Sequence, residues 1–267
     1  MSDRSIDVCK ENKISCFDAQ GNCYIAGGPI YIEIRGIPNP NPIAQTAQSL
    51  FSPKSSRVSR VLLSNVKKWW QIQKIAEEAE ISIGLVSTVK KQLLEEQLVE
   101  EQGKSIRVKD PIKLIDRWLE KYSFRKNKRR EFYSFITGPS FERKIASACS
   151  ERNIRYGLAL FTGAAKVAPF VRMEKQFIFV EKDIEMIAAD VKLKSVDSGA
   201  NVVLLGPYDN GVFYRSNQSD GIEIVSDLQL YLDLKKFKGR GDEAASAILS
   251  QRLEPEWLQN LNTNSVE

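Results

Sequence analysis

The stretch Ser82-Ile-Gly-Leu-Val-Ser-Thr-Val-Lys-Lys91 carries the residue types best suited to chemistry on a partner. Wound as a helix, it turns Val86 and Val89 to one side and Ser82, Ile83, Gly84, Ser87, Thr88 and Lys91 to the other. A solvated helix face ordinarily carries Glu and Lys. Here the groups are small or hydroxyl-bearing, so the helix can enter a groove without collision and its hydroxyls can bond base edges or phosphate oxygens. Lys90 adds charge beside the stripe, and the acids Glu95 and Glu96 appear only beyond the part of a recognition helix that normally approaches DNA. Downstream, Lys104 and Arg107 flank a short turn at Gly103, where they can touch a phosphate backbone through a salt-sensitive, sequence-independent attraction. These residues point to polyanion recognition, with double-stranded DNA as the expected partner.

Catalysis finds little support. The chain has no histidine, which removes the commonest general base and the commonest metal ligand together. Cys9, Cys16, Cys23 and Cys149 contain no closely spaced pair of the kind structural zinc sites use. They read as reduced thiols, the first three on or beside short strands. Phe161-Thr-Gly-Ala-Ala165 is similar to the strand-to-helix turn of nucleotidyltransferases, but the paired acids such chemistry needs are missing, since Val171–Val180 offers Glu174 alone. Gly239-Arg240-Gly241 reads as an anion-binding loop or an ordinary one. Asp233, Asp242 and Glu243 read as helix-start acids favoured by the helix dipole. No enzyme, metal or cofactor is expected.

The elements that would position the cationic and hydroxyl groups are legible around them. Ser55–Ser64 has Val58, Val61 and Leu62 at helical spacing, and Gln71–Glu78 repeats the pattern with Ile72, Ile75 and Ala76. Glu80-Ile-Ser82 is then a turn with an apolar pin at Ile81 and an N-cap at Ser82, opening a helix to about Glu96. That is helix-turn-helix spacing. Leu98–Val108 follows as two alternating segments about Gly103-Lys104, a hairpin placed as a wing. Asp110-Pro111 caps a further helix over Ile112–Tyr122, with Leu114, Ile115, Trp118 and Leu119 facing inward. Trp69-Trp70 reads as packing beneath the module.

Around this centre lie two other regions. Ile14–Arg35 reads as a small β-meander, ended by Pro38-Asn-Pro-Asn-Pro42, which marks a linker. After Tyr122 comes a cationic run, Arg125–Arg130, which reads either as solvated charge or as an extension of a phosphate footprint. Helices are then expected over Ser140–Arg152, Ser226–Leu234 and Gly241–Arg252. Strands are expected over Tyr156–Phe161, Phe177–Val180, Val202–Leu205 and Val212–Tyr214. The 267 residues, 42% hydrophobic, suffice for two or three domains: 1–45, 46–122 and 123–267. The fold class is α+β, with a central winged helix-turn-helix, a short N-terminal β-meander and a mixed α/β C-terminal domain. A net charge of +5, from 39 Lys and Arg against 34 Asp and Glu, permits a polyanion partner without requiring one. No apolar run reaches the roughly 18 residues of a membrane span, so a cytoplasmic protein is expected.

Three blocks together resemble the AbiEi family of type IV toxin-antitoxin antitoxins. The first runs from Phe51-Ser-Pro-Lys-Ser-Ser-Arg-Val-Ser-Arg-Val-Leu-Leu63 through Ile81-Ser-Ile-Gly-Leu-Val-Ser-Thr-Val89 to Val108-Lys-Asp-Pro-Ile-Lys-Leu-Ile-Asp-Arg-Trp118. The second is Phe17-Asp-Ala-Gln-Gly-Asn-Cys-Tyr-Ile25, similar to a segment upstream of the winged domain in longer members. The third is Ser226–Leu234 with Gly239-Arg-Gly-Asp-Glu-Ala-Ala245. The resemblance implies an operator-binding, autoregulating antitoxin that opposes a nucleotidyltransferase-like toxin, with the C-terminal domain serving dimerisation or partner contact. The chain departs from the pattern in two ways. An upstream portion of longer members is expected to be missing, and Gln97 stands where winged helices often carry a helix-ending glycine. The alternatives are an interaction antitoxin whose winged domain binds protein, and a degenerate nucleotidyltransferase-like protein.

Overall fold

A computed structural model describes residues 3–18, 21–36, 50–169 and 175–262, divided between two compact units, Met1–Ser49 and Leu50–Glu267. The linker expected at Pro38–Pro42 lies outside the described residues.

The first unit is the expected meander with a helix on it. Helix α1 (Asp3–Glu11) packs on β2 (Cys23–Gly27), which pairs antiparallel with both β1 (Cys16–Phe17) and β3 (Ile30–Ile34). Ile6 and Tyr24 are buried, and Asp18 accepts the Asn22 backbone N–H at 2.9 Å to close the first turn. The helix was not expected from so polar a segment, and it takes Cys9 away from the strands; Cys16 and Cys23 do lie on β1 and β2.

The second unit opens with α2 (Pro53–Leu63), β4 (Trp70–Gln71), α3 (Ile72–Ala79), α4 (Ile83–Glu95), β5 (Val99–Gln102), β6 (Ser105–Val108) and α5 (Pro111–Lys121). Proline at the first turn of α2 and of α5, and the Asp110 carboxylate accepting the Lys113 N–H at 2.9 Å, start these helices, α2 two residues before the Ser55 that apolar spacing indicates. Strands β5 and β6 form a hairpin whose inner strand also pairs with β4, giving a three-stranded sheet behind three helices. Val58, Val61, Leu62, Ile75, Val86, Val89, Leu93 and Leu98 are buried together as its core. The order of these helices and strands is the one expected of a winged helix-turn-helix.

The chain continues through β7 (Lys128–Tyr133), α6 (Gly138–Glu151), β8 (Tyr156–Leu158), α7 (Leu160–Val167), β9 (Gln176–Val180), α8 (Ile184–Asp190), β10 (Lys194–Ser195) and β11 (Val202–Gly206). It then forms β12 (Asn217–Ser219), β13 (Ile222–Ile224), α9 (Asp227–Lys235), α10 (Gly241–Ile248), a π turn over Leu249–Leu253 and α11 (Glu254–Asn262). The sheet order is β10-β7-β11-β9-β8-β13-β12, with β11 parallel to β9, β13 parallel to β8 and the other pairs antiparallel. Strands β8 and β9 are buried along their whole length, as a sheet covered on both faces requires. Helices α7, α9 and α10 pack as one group and α6 with α8 as another.

Two expectations change here. Val212–Tyr214 is not a strand: Asn210–Phe213 is a 3-10 turn, because the Asp209 carboxylate accepts the Gly211 N–H at 2.8 Å and locks a turn in place. Phe161–Ala165 is not a strand-to-helix turn but the body of α7. The winged part and the α/β part share one continuous core, from Leu50 and Phe51 through to Trp257.

Candidate nucleic-acid interface

The turn between α3 and α4 is three residues long. Glu80 takes a left-handed conformation (φ 53°), Ile81 returns its N–H to the Ala76 carbonyl at 3.1 Å, and the Ser82 hydroxyl caps α4 by accepting the Leu85 N–H at 3.2 Å. Ile81 is half-buried against the core and acts as the pin that sets the angle between the helices. Val86, Val89 and Leu93 seat α4 on the core with no exposure. Ser82, Ile83, Gly84, Ser87, Thr88 and Lys91 consequently face solvent along one side.

On that side the Ser87 hydroxyl donates to the Ile83 carbonyl at 3.0 Å and the Thr88 hydroxyl to the Gly84 carbonyl at 3.1 Å. Each oxygen keeps its acceptor capacity for a partner. Ile83 leaves 54% of its surface in solvent at the helix start, an apolar group of the kind that packs on a thymine methyl. A methyl group added at Gly84 would meet nothing within 4 Å. The glycine is thus not required by the protein's own packing.

The cations differ in availability. Lys91 is exposed and only 3.9 Å from Glu95 at its nearest, and Lys104 is exposed at the hairpin tip, where Gly103 (φ 60°) supplies the turn. Lys90 instead bonds Glu101 on β5. Arg107 donates from Nε to Glu100 at 2.8 Å and stacks 4.5 Å above the Trp69 ring. Trp70 is buried, as is Trp118, which stacks on Phe51. The cationic run divides: Arg125 and Lys126 lie in a short 3-10 turn, while Arg129 and Arg130 on β7 pair with Glu131 and Glu185 at 2.6 and 3.0 Å.

A family model described as "Transcriptional regulator, AbiEi antitoxin, Type IV TA system" matches residues 107–254, more than half of the chain. The chain belongs to the AbiEi antitoxin family. No curated protein and no solved structure matches it. The AbiEi match begins on the second strand of the hairpin and takes in α5 and nearly all of the α/β part. Among the described residues no helix is long and apolar enough to cross a membrane.

Within this AbiEi stretch the loops that could suggest nucleotide chemistry are committed to structure. A methyl at Gly163 would stand 2.7 Å from the Leu158 carbonyl oxygen and 2.7 Å from Leu230, and Thr162 Oγ1 accepts the Phe177 N–H at 2.8 Å. A methyl at Gly241 would lie 2.3 Å from the Leu234 carbonyl oxygen, while Asp242 holds Lys235 and Glu243 holds Arg240. Glu174 lies outside the described residues. Asp233 is not a helix-start acid. It lies near the end of α9, fully buried, in a polar chain that sequence spacing gave no means of finding. The Tyr122 hydroxyl donates to Asp233, Gln229 donates to Tyr122 Oη at 2.9 Å, and Arg60 donates to Gln229 Oε1 at 2.6 Å. Burial pushes the Asp233 carboxyl up to about 7, although Gln229, Tyr122 and Arg60 all favour its charged form.

Proposed function

We propose that this antitoxin binds double-stranded operator DNA through its winged module and so regulates its own operon. Helix α4 enters the major groove with Ser82, Ile83, Gly84, Ser87, Thr88 and Lys91 toward the bases, and Lys104 lies on the phosphate backbone. Lys90 and Arg107 flank that contact but hold Glu101 and Glu100, so they add less to it. The observation that carries the reading is Gly84. Glycine costs about 0.5–1 kcal/mol relative to alanine in the middle of a helix and less in the first turn, where Gly84 lies, and nothing within the protein occupies the space that alanine would take. An outside surface that must come close to the α4 backbone accounts for that cost.

The α/β part is open to a nucleotidyltransferase-like toxin or to a second copy of the chain, and the role is regulatory, cytoplasmic and without catalysis. Commitment of Thr162, Gly163 and Gly241 to packing supports the non-enzymatic reading. One observation favours a second reading, a protein partner for the winged module. Glu100 and Glu101 on the hairpin pair with Arg107 and with Lys90 of α4, which leaves Lys104 at the hairpin tip as the exposed cation of the turn.

A gel shift with the chain's own upstream fragment at two salt concentrations separates the readings. Retardation that weakens steeply with salt is expected for DNA binding. The double variant Ser87→Glu, Thr88→Glu should abolish retardation while its circular dichroism and unfolding midpoint stay near those of the parent. Equal retardation by the variant would remove α4 from the interface.

A further inference from the structure

We propose that the cleft between α2, the end of α3 and the Asn210–Arg215 segment is a binding site for a small phosphate-bearing anion, held by Arg60 and Arg215. The cleft measures about 200 Å³, and Arg57, Arg60, Arg155 and Arg215 all line it against two carboxylates, Glu78 and Glu80. A second cleft, of about 180 Å³, shares Arg60, Tyr214 and Arg215 with the first, so Arg60 lies between the two.

The four arginines are not equivalent. Arg57 is spent on the fold, with Asp209 at 2.9 Å and the Ala79 carbonyl at 3.2 Å. Arg155 is held by Glu181 at 2.7 Å. Arg60 is only 3% exposed, stacks 4.9 Å from the Trp118 ring and gives Nη2 to Gln229, yet its Nε and Nη1 have no acceptor. Nε lies beside Gly211, where an added methyl would stand 3.3 Å from it and 2.7 Å from the Asp209 carboxylate, so a side chain there would crowd this nitrogen. Arg215 is exposed and holds the Ser64 carbonyl at a long 3.4 Å, a bond that an entering anion can replace. Glu78 accepts the Tyr214 hydroxyl at 2.9 Å, and Glu80 stands 3.7 Å from Arg57.

Buried guanidinium N–H groups strongly favour a charged acceptor, and a phosphate offers oxygens that can meet more than one donor at once. Size narrows the class. The cleft exceeds the roughly 30 Å³ share of one water molecule and falls short of the roughly 300 Å³ at which drug-sized ligand pockets begin. Inorganic phosphate or a small phosphate monoester fits that interval. Bound there, it would join the Ala79–Glu80 end of α3 to the α/β part at the turn that orients α4.

The test uses the full chain and inorganic phosphate, with sodium chloride at matched ionic strength as the control, read by calorimetric titration and by thermal unfolding. DNA plays no part in it, so its outcome is independent of operator binding. A saturable heat and a rise in unfolding temperature above the chloride control are expected. Arg215→Gln should weaken the phosphate affinity at least tenfold, and Arg60→Met should remove the saturable response. If Arg60→Met does not fold, Arg215→Gln decides. A parent response equal to the chloride control, or an unchanged affinity in Arg215→Gln, overturns the proposal.

Discussion

Tyr122 donates its hydroxyl hydrogen to Oδ1 of Asp233, joining the end of α5 to the buried side of α9. Oδ2 of the same carboxyl has no hydrogen-bond partner, and burial is the largest influence on its titration. The bond therefore links the winged part to the α/β part through a group that is costly to ionise.

Stability should fall as pH rises toward neutrality because of this carboxyl. Its folded value of about 7 exceeds the value near 3.8 of an unperturbed aspartate, so the folded chain holds the proton more tightly. The contribution is complete below the lower value and declines until the pH passes the upper one. Asp233→Asn keeps an uncharged group that can still accept from Tyr122, and it should flatten the decline. Urea unfolding from about pH 4.5 to 8 measures it; an equal slope in the variant would count against the buried carboxyl as the source.

Gly84→Ala should stabilise the fold by less than the roughly 0.5–1 kcal/mol of a helix interior, since the added methyl meets nothing and helix propensity rises, though in the first turn. The same change should weaken operator binding, because the methyl projects from the exposed side of α4. Improved stability with undiminished affinity would show that the DNA approaches another surface.

Gln97 occupies the left-handed position after α4 (φ 55°), and Leu98 closes the helix by donating to the Leu93 carbonyl at 2.9 Å. The structure thus uses the glutamine as other winged helices use glycine. Gln97→Gly should raise stability by about 0.5–1 kcal/mol by relieving the strain of that conformation. A chemical-denaturation midpoint that moves down instead would exclude this.

Gly163→Ala should destabilise by about 1–3 kcal/mol, the usual range for overpacking, because the methyl is driven onto a backbone oxygen at 2.7 Å. Its effect on DNA binding should follow from the loss of folded protein alone. Comparing affinity per folded molecule tests that.

Lys104→Ala should weaken binding to every DNA sequence about equally and reduce the salt slope by about one unit, as loss of a phosphate contact does. Lys90→Ala should change both far less, since Lys90 already has Glu101 as its partner. Equal effects from the two would mean that the hairpin pairs open on binding.

Where apolar period and cap agree, as in α4 with its Ser82 cap and the Val86, Val89 and Leu93 stripe, the sequence reads directly as structure. The same holds for the hairpin about Gly103 and for the Asp110-Pro111 start of α5. Reading failed where one level contradicted another. The cationic run hid β7, because its first half is exposed and carries Lys128, Arg129 and Arg130 while only Phe132 is buried. Apolar Val212 and Phe213 suggested a strand, but one carboxylate, Asp209, imposes a turn by bonding both Gly211 and Arg57. The Arg60–Gln229 bond spans 169 positions, and no local pattern records a polar contact at that distance. Paired cations at Lys90 and Arg107 were invisible for a related reason. Their partners lie across a helix-to-strand contact and a strand pair, which hydrophobic period does not encode.

The indole nitrogen of Trp257 on α11 donates to the carbonyl of Leu63 at the end of α2, 3.2 Å away and out of contact with water. During synthesis α2 leaves the ribosome long before that partner does. A nascent chain halted earlier has made α2 and α4 but lacks the indole that bonds the Leu63 carbonyl. The end of α2 therefore reaches its finished burial late in translation, once α11 has emerged.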